Sequence, residues 1–192
     1  MSLIPLLFSL TASPGPSNVL VLASSTNFGY RRTLPFIAGS LISLVLMFLT
    51  IGIGLGWVFD AYPIIHTTFK IMSITYLLYL AASIARSGGF RVTSDVPRAM
   101  SFIEGGLFQW INPKAWVVVI SIVATYTSPA HDLFSQILLI CSVFVVVAFI
   151  SFSLWAFFGT IIAQFLQTSR SMRSFNIILA VILVVSLIPL FR

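Results

Sequence analysis

Six apolar runs, each about as long as a bilayer is thick, constrain this chain more than any other feature. A hydrocarbon core takes roughly 20 apolar residues to cross as a helix. The runs occupy residues 3–28, 34–59, 64–85, 101–127, 133–165 and 175–191. The first, second and fifth carry no charged side chain, the third holds His66 and Lys70 near its start, and the fourth holds Glu104 and Lys114. Backbone groups left unpaired in lipid are costly, so only helices or closed barrels span it. Runs of this length lack the ten-residue alternation of barrel strands. The expected fold is an all-α membrane protein with six transmembrane helices, forming one transmembrane domain over residues 1–192.

Composition agrees, since 59% of residues are hydrophobic and 7% charged, against roughly 25% charged in a soluble domain. Too few polar side chains exist to cover a water-facing surface. The net charge of +6 does not point to nucleic acid, because the arginines stand singly or in pairs between apolar runs and form no basic stripe. The single cysteine, Cys141, lies in an apolar run and reads as a small buried hydrophobe, with no intramolecular disulfide to form. His66 and His131 are isolated, so no metal site is expected. No nucleophile elbow, P-loop or zinc-protease motif occurs, and neither a cofactor nor an enzymatic activity is expected. Gly52, Gly54 and Gly56 fall inside the second run, where close helix packing is their natural role. The first run has no basic leader, and Pro14 directly follows its one small-residue cleavage site, so it is expected to be retained as a span.

Short basic loops stay cytoplasmic. Arg31 and Arg32 separate the first two runs, Arg86, Arg91 and Arg98 the third and fourth, and Arg170 and Arg173 the last two. The alternate connectors hold Asp60, His131 and Asp132, with Lys70 just inside the third run, and Arg192 is the one arginine on the other side. Both termini are therefore expected outside, with the odd-numbered loops in the cytoplasm.

Two runs cannot be continuous helices. Ser13-Pro14-Gly15-Pro16-Ser17-Asn18 interrupts the first and Asn112-Pro113-Lys114 the fourth, because proline removes a donor and disfavours helical geometry in the residue before it. Pro14, Gly15, Pro16 and Pro113 are thus the expected breaks or hinges. Pro14 and Pro113 lie 99 positions apart in 192, which divides the chain into repeats 1–96 and 97–192, each with three helices and the first of them broken. An odd number of spans inverts the second repeat relative to the first. Paired interruptions of this kind point to a central transport site.

The half-helix beginning near Ser17 and Asn18 offers free amides and a positive dipole end, suited to an anionic group. Lys114 lies 13 residues from each end of its run, and a lysine at the bilayer centre costs about 2.5–3.5 kcal/mol on insertion scales. No carboxylate shares its depth. Its partner is either the carbonyl end of the first half-helix or the carboxylate of a transported substrate, which Asn18 would help to hold. Gln109 and Asn112 would add neutral hydrogen bonds. Glu104 is the candidate proton carrier, or else it pairs with Arg98.

These motifs resemble the lysine exporter superfamily (LysE/RhtB type) along essentially the whole chain. They are Ser13-Pro14-Gly15-Pro16-Ser17-Asn18, Asn27-Phe28-Gly29-Tyr30-Arg31-Arg32, Tyr76-Leu77-Leu78-Tyr79-Leu80 and Phe108-Gln109-Trp110-Ile111-Asn112-Pro113-Lys114-Ala115-Trp116. Phe175-Asn176-Ile177-Ile178-Leu179-Ala180 is similar to the last helix of the branch that exports cysteine and O-acetylserine, while Ser17 stands where relatives often carry Asn or Asp. The resemblance implies a multi-pass protein of the bacterial inner membrane that exports amino acids or small derivatives as a secondary active transporter, coupled to protons. Its expected partners are the substrate, protons, membrane lipids and a second copy of the chain in a homodimer. A channel or passive facilitator for small zwitterionic metabolites is the alternative.

Overall fold

The computed structural model describes residues 3–52, 63–86, 98–128, 132–166, 168–185 and 188. Eight helices occur among them: α1 (Leu3–Ala12), α2 (Pro16–Phe28), α3 (Tyr30–Thr50), α4 (Pro63–Arg86), α5 (Phe102–Ile111), α6 (Pro113–Tyr126), α7 (Leu133–Phe165) and α8 (Ser169–Val185). The two breaks fall where proline placed them. Pro16 opens α2, where its missing N–H costs nothing. Asn112 adopts extended geometry, φ −78° and ψ 108°, in front of Pro113. The chain bends by 61° between α1 and α2 and by 69° between α5 and α6.

By length and composition α3 and α7 can each cross a membrane alone, and the two bent pairs bring the number of candidate spans to four among the described residues. The third and sixth expected spans are present as α4 and α8 but are not among these candidates. α4 contains His66 and Lys70 and ends on Arg86, and α8 comprises 17 residues that begin Ser169-Arg170-Ser171-Met172-Arg173. Asp60, Arg91 and His131, on which part of the orientation argument rests, lie outside the described residues, as do Gly54 and Gly56.

Packing relates the two halves. α3 lies on α5 as α1 lies on α7, α2 meets α7 as α6 meets α3, and the pairs α3–α7 and α4–α8 each correspond to themselves when α1–α4 are exchanged with α5–α8. Small residues bring α3 and α5 together. A Cβ added to Gly39 would fall on the Phe102 carbonyl oxygen, and one added to Gly105 on that of Phe36. Ser40 Oγ donates to the Gly105 carbonyl at 3.2 Å across the same contact. Gly52 likewise abuts the Ile137 side chain. The fully buried rings of Phe48 and Phe144 meet edge-on with centroids 5.0 Å apart, tying α3 to α7.

Polarity is arranged inside out. Leu139, Val146 and Phe157 are 66%, 59% and 58% exposed, whereas Asn18, Gln109 and Asn112 are buried. A surface of this kind suits lipid.

The α3–α5 contact yields a prediction. Gly105→Ala should destabilise the protein by about 1–3 kcal/mol, because the backbone of α3 blocks the added methyl. Leu107→Ala on the exposed face of the same helix should change stability by no more than about 0.5 kcal/mol. Thermal unfolding in detergent compares the two.

Candidate functional site

The site forms where the two broken helices meet. α1 stops at Ala12, leaving carbonyls that a continuous helix would have paired, and such groups need partners in a low-dielectric interior. Each finds one. Ser9 O accepts from Ser13 N at 3.2 Å and Leu10 O from Ser13 Oγ at 2.9 Å. Thr11 O accepts from Asn18 Nδ2 at 2.7 Å, and Ala12 O from the Trp155 indole at 3.1 Å. Ser13 O accepts from Asn18 Nδ2 and from Lys114 Nζ, both at 2.9 Å. Lys114 Nζ also donates to Ser13 Oγ at 2.8 Å and to Pro14 O at 3.4 Å.

Lys114 therefore takes the first of its two expected partners, the carbonyl end of the first half-helix, and reaches across from the second half of the chain to do so. Gly15 makes room for it, since a Cβ there would lie 2.8 Å from Nζ. The ammonium sits against peptide oxygens and a hydroxyl while remaining on the wall of a cavity.

The second break supplies neutral polar groups. Asn112 caps α6 through Oδ1, which accepts from Lys114 N at 3.1 Å. Its Nδ2 donates to Ser17 Oγ at 2.9 Å. Ser17 Oγ also lies 3.2 Å from Gln109 Nε2 and 3.3 Å from Gln109 Oε1. The carbonyl end of α5 is closed by Asn112 N, which donates to Phe108 O and Gln109 O, and by the Trp116 indole, which donates to Trp110 O at 2.8 Å.

Ser17, Asn18, Gln109, Asn112 and Lys114 line one cavity, walled on its apolar side by Leu44, Val118, Phe144 and Phe152. Measured as space open to water centres it holds about 50 Å³. One water needs roughly 10–15 Å³ on that measure, so the cavity takes a few waters and must widen to admit a metabolite.

All four residues expected to bind substrate, Asn18, Gln109, Asn112 and Lys114, come together here, beside the hinge residues Pro14, Gly15, Pro16 and Pro113. Asn18 differs from expectation in what it has to offer. Both of its amide hydrogens are engaged by the Thr11 and Ser13 carbonyls, which leaves no donor for a carboxylate. Glu104 stands elsewhere, as the third residue of a capping box with Ser101 at the start of α5. Its oxygens accept from Arg98 at 2.8 and 2.9 Å and from Ser101 N at 2.7 Å. The carboxylate raises the pKa of the Arg98 guanidinium further, but Arg98 is about half exposed, and such a pair is worth about 0–1 kcal/mol. Ser13 and Trp155 were not expected in the site, and Ser17 was expected there only at the amide end of the second half-helix. The position of Ser13 directly before Pro14 was a usable sign, because the residue ahead of a helix-breaking proline is where carbonyls go unpaired. Nothing local marks Trp155 within its long apolar run.

The capping geometry predicts that Lys114→Met and Trp155→Phe both lower the melting temperature. Trp155→Phe leaves the part-buried Ala12 carbonyl without a donor, at a cost of about 1–3 kcal/mol, and Lys114→Met takes from the Ser13 carbonyl one of its two donors, Asn18 Nδ2 being the other. Trp155→Phe removes its donor without touching the cavity wall, so ligand-induced stabilisation should survive in that variant.

Several relatives share this chain's length. The cysteine/O-acetylserine efflux protein of Salmonella typhimurium strain LT2 is 28% identical over 180 residues, covering 93% of this chain and 90% of the relative. The corresponding protein of Escherichia coli strain HS is 26% identical over 181 residues, with coverage of 93% and 90%. The homoserine/homoserine lactone efflux protein of Salmonella typhi is 25% identical over 171 residues, with coverage of 87% and 83%. No solved structure matches the chain. Residues 8–187 match the family model described as LysE type translocator, and the chain belongs to that family.

Proposed function

We propose that this translocator is a secondary active exporter of small neutral amino acids or their derivatives across the bacterial inner membrane. In this reading it is a single domain of six transmembrane helices, built as inverted repeats 1–96 and 97–192, that rocks around the cavity between the two breaks. The observation that carries the reading is that cavity itself, in which polar residues from two broken helices face one another inside an apolar bundle. Irregular backbone at membrane depth is tolerated where it lines such a space. The pairwise correspondence of helix contacts between the halves supports the repeat, and the relatives named for cysteine, O-acetylserine and homoserine efflux support the substrate class.

Lys114, Gln109, Asn112 and Asn18 are the proposed substrate residues, with Lys114 exchanging part of its carbonyl cage for the substrate carboxylate. A dibasic amino acid would bring a second uncompensated cation into the site, at several kcal/mol, so lysine and arginine are expected to be poor substrates. Proton entry is the proposed driving reaction, with Glu104 as carrier once it leaves Arg98. Lipids surround the bundle, and a homodimer is the proposed assembly.

Proteoliposomes test this. Uptake of radiolabelled O-acetyl-L-serine, L-cysteine or L-homoserine should saturate, should accelerate when unlabelled substrate is present on the far side, and should run uphill when a proton gradient is imposed. Non-saturating flux that never runs uphill would establish the channel alternative. Robust lysine transport would contradict the charge argument.

Topology gives an independent prediction. A reporter fused after Arg91 should read cytoplasmic and one after Asp132 periplasmic, and the opposite readings would remove the inverted repeat.

A further inference from the structure

Among the polar side-chain atoms of the residues that line the cavity, Asn18 Oδ1 stands apart. Asn18 is 2% exposed, lines the cavity, and its Oδ1 has no hydrogen-bond partner among the described residues. The orientation of the amide is fixed by its other end. Nδ2 faces the carbonyl oxygens of Thr11 and Ser13 at 2.7 and 2.9 Å, and the flipped amide would set an oxygen against both of them. Oδ1 is therefore an acceptor turned away from the α1 carbonyls. The side-chain acceptors that Asn112, Ser17 and Gln109 bring to the wall are served within the protein: Asn112 Oδ1 takes the Lys114 amide, Ser17 Oγ takes Asn112 Nδ2, and Gln109 Oε1 lies within reach of the Ser17 hydroxyl.

We propose that Asn18 Oδ1 receives the α-ammonium group of the transported amino acid. This rests on the export reading and deepens it, because it assigns one end of the substrate to one atom. An unpaired acceptor buried beside a cavity calls for a donor, and a cationic donor makes the stronger bond. Asn18 Nδ2 and Lys114 Nζ share the Ser13 carbonyl oxygen, each at 2.9 Å, so the acceptor and the lysine ammonium lie on neighbouring parts of the wall. A zwitterion carries its ammonium and carboxylate on a single carbon, so its two ends can address neighbouring groups. Its carboxylate beside Lys114 would also offset the repulsion between the two ammonium groups. Asn18 is then a specificity-determining residue that rejects amino acids whose nitrogen has been acylated.

O-acetyl-L-serine and N-acetyl-L-serine are isomers that differ in whether the α-nitrogen is a free ammonium. Each is added to the purified full-length protein at mildly acidic pH, where the acetyl group stays on oxygen, and ligand-induced thermal stabilisation is titrated. L-homoserine and N-acetyl-L-homoserine form a second pair. The free amines should bind about tenfold or more tightly than their N-acetyl partners. Asn18→Leu should bring that ratio towards one, and Asn18→Asp, which retains an acceptor and adds negative charge, should maintain or raise it. A ratio measured within one variant is insensitive to the stability lost with the α1 caps. If neither variant folds, the wild-type ratio decides. Equal binding of both members of a pair overturns the ammonium assignment and leaves the export reading standing. Binding of neither free amine overturns the export reading, and the assignment with it.

Discussion

The carbonyl oxygens of Thr11, Ala12 and Ser13 leave the end of α1 with no helix to receive them, and the arrangement of the bundle depends on how they are satisfied. Their donors come from three other elements: Asn18 in α2, Lys114 in α6 and Trp155 in α7. In water such oxygens would be solvated at little cost. In an apolar bundle an unpaired one costs about 1–3 kcal/mol, so the break created by Pro14 and Pro16 is held by Asn18 just beyond it together with Lys114 and Trp155 from the second half of the chain. Lys114 is subject to the same constraint from the other side, since its ammonium needs oxygens at a depth where no carboxylate is available. Each break thus supplies what the other lacks, and the cavity lies where they meet.

That exchange bears on how a transporter of this construction would move. The residues that hold the halves together also line the space a substrate would occupy, and the cavity has room only for a few waters. Widening it must loosen contacts between Lys114 and α1, and a carboxylate entering beside the ammonium would compensate them. In the proposed site, substrate and carbonyl cage would compete for one cation, which would give binding a direct means of shifting the bundle between arrangements. The close contact of α3 with α5 through Gly39 and Gly105, and its counterpart between α1 and α7, would move as packed units around the two bends.

Much of this was legible in the sequence because it follows from local chemistry. Proline placement fixed both breaks to within a residue or two, and run length anticipated helices in all six expected regions, of which α3, α7 and the two bent pairs are long and apolar enough to cross a membrane among the described residues. The burial of Lys114 in an apolar run announced that it needed a partner, but two partners satisfied that need equally well until the fold brought Ser13 within 2.8 Å. Asn18 was expected at the break, where it lies, but the engagement of its Nδ2 by the Thr11 and Ser13 carbonyls was not. Which of its atoms is free depends on where the α1 carbonyls point, and that is set by a 61° bend no local pattern encodes. Trp155 was illegible for a similar reason, because its partner lies 143 residues earlier in the chain.

The central claim is that substrate meets the protein at the Lys114 ammonium, in the cavity between the two breaks. The chain has only two lysines, Lys70 and Lys114, so with 15N-lysine labelling and a Lys70→Arg reference the Lys114 side-chain resonance can be assigned without ambiguity. Titrating O-acetyl-L-serine into the labelled protein should move that resonance saturably, with the same midpoint as ligand-induced thermal stabilisation. Thermal stabilisation that saturates while the Lys114 resonance stays fixed would place the substrate elsewhere and contradict the account.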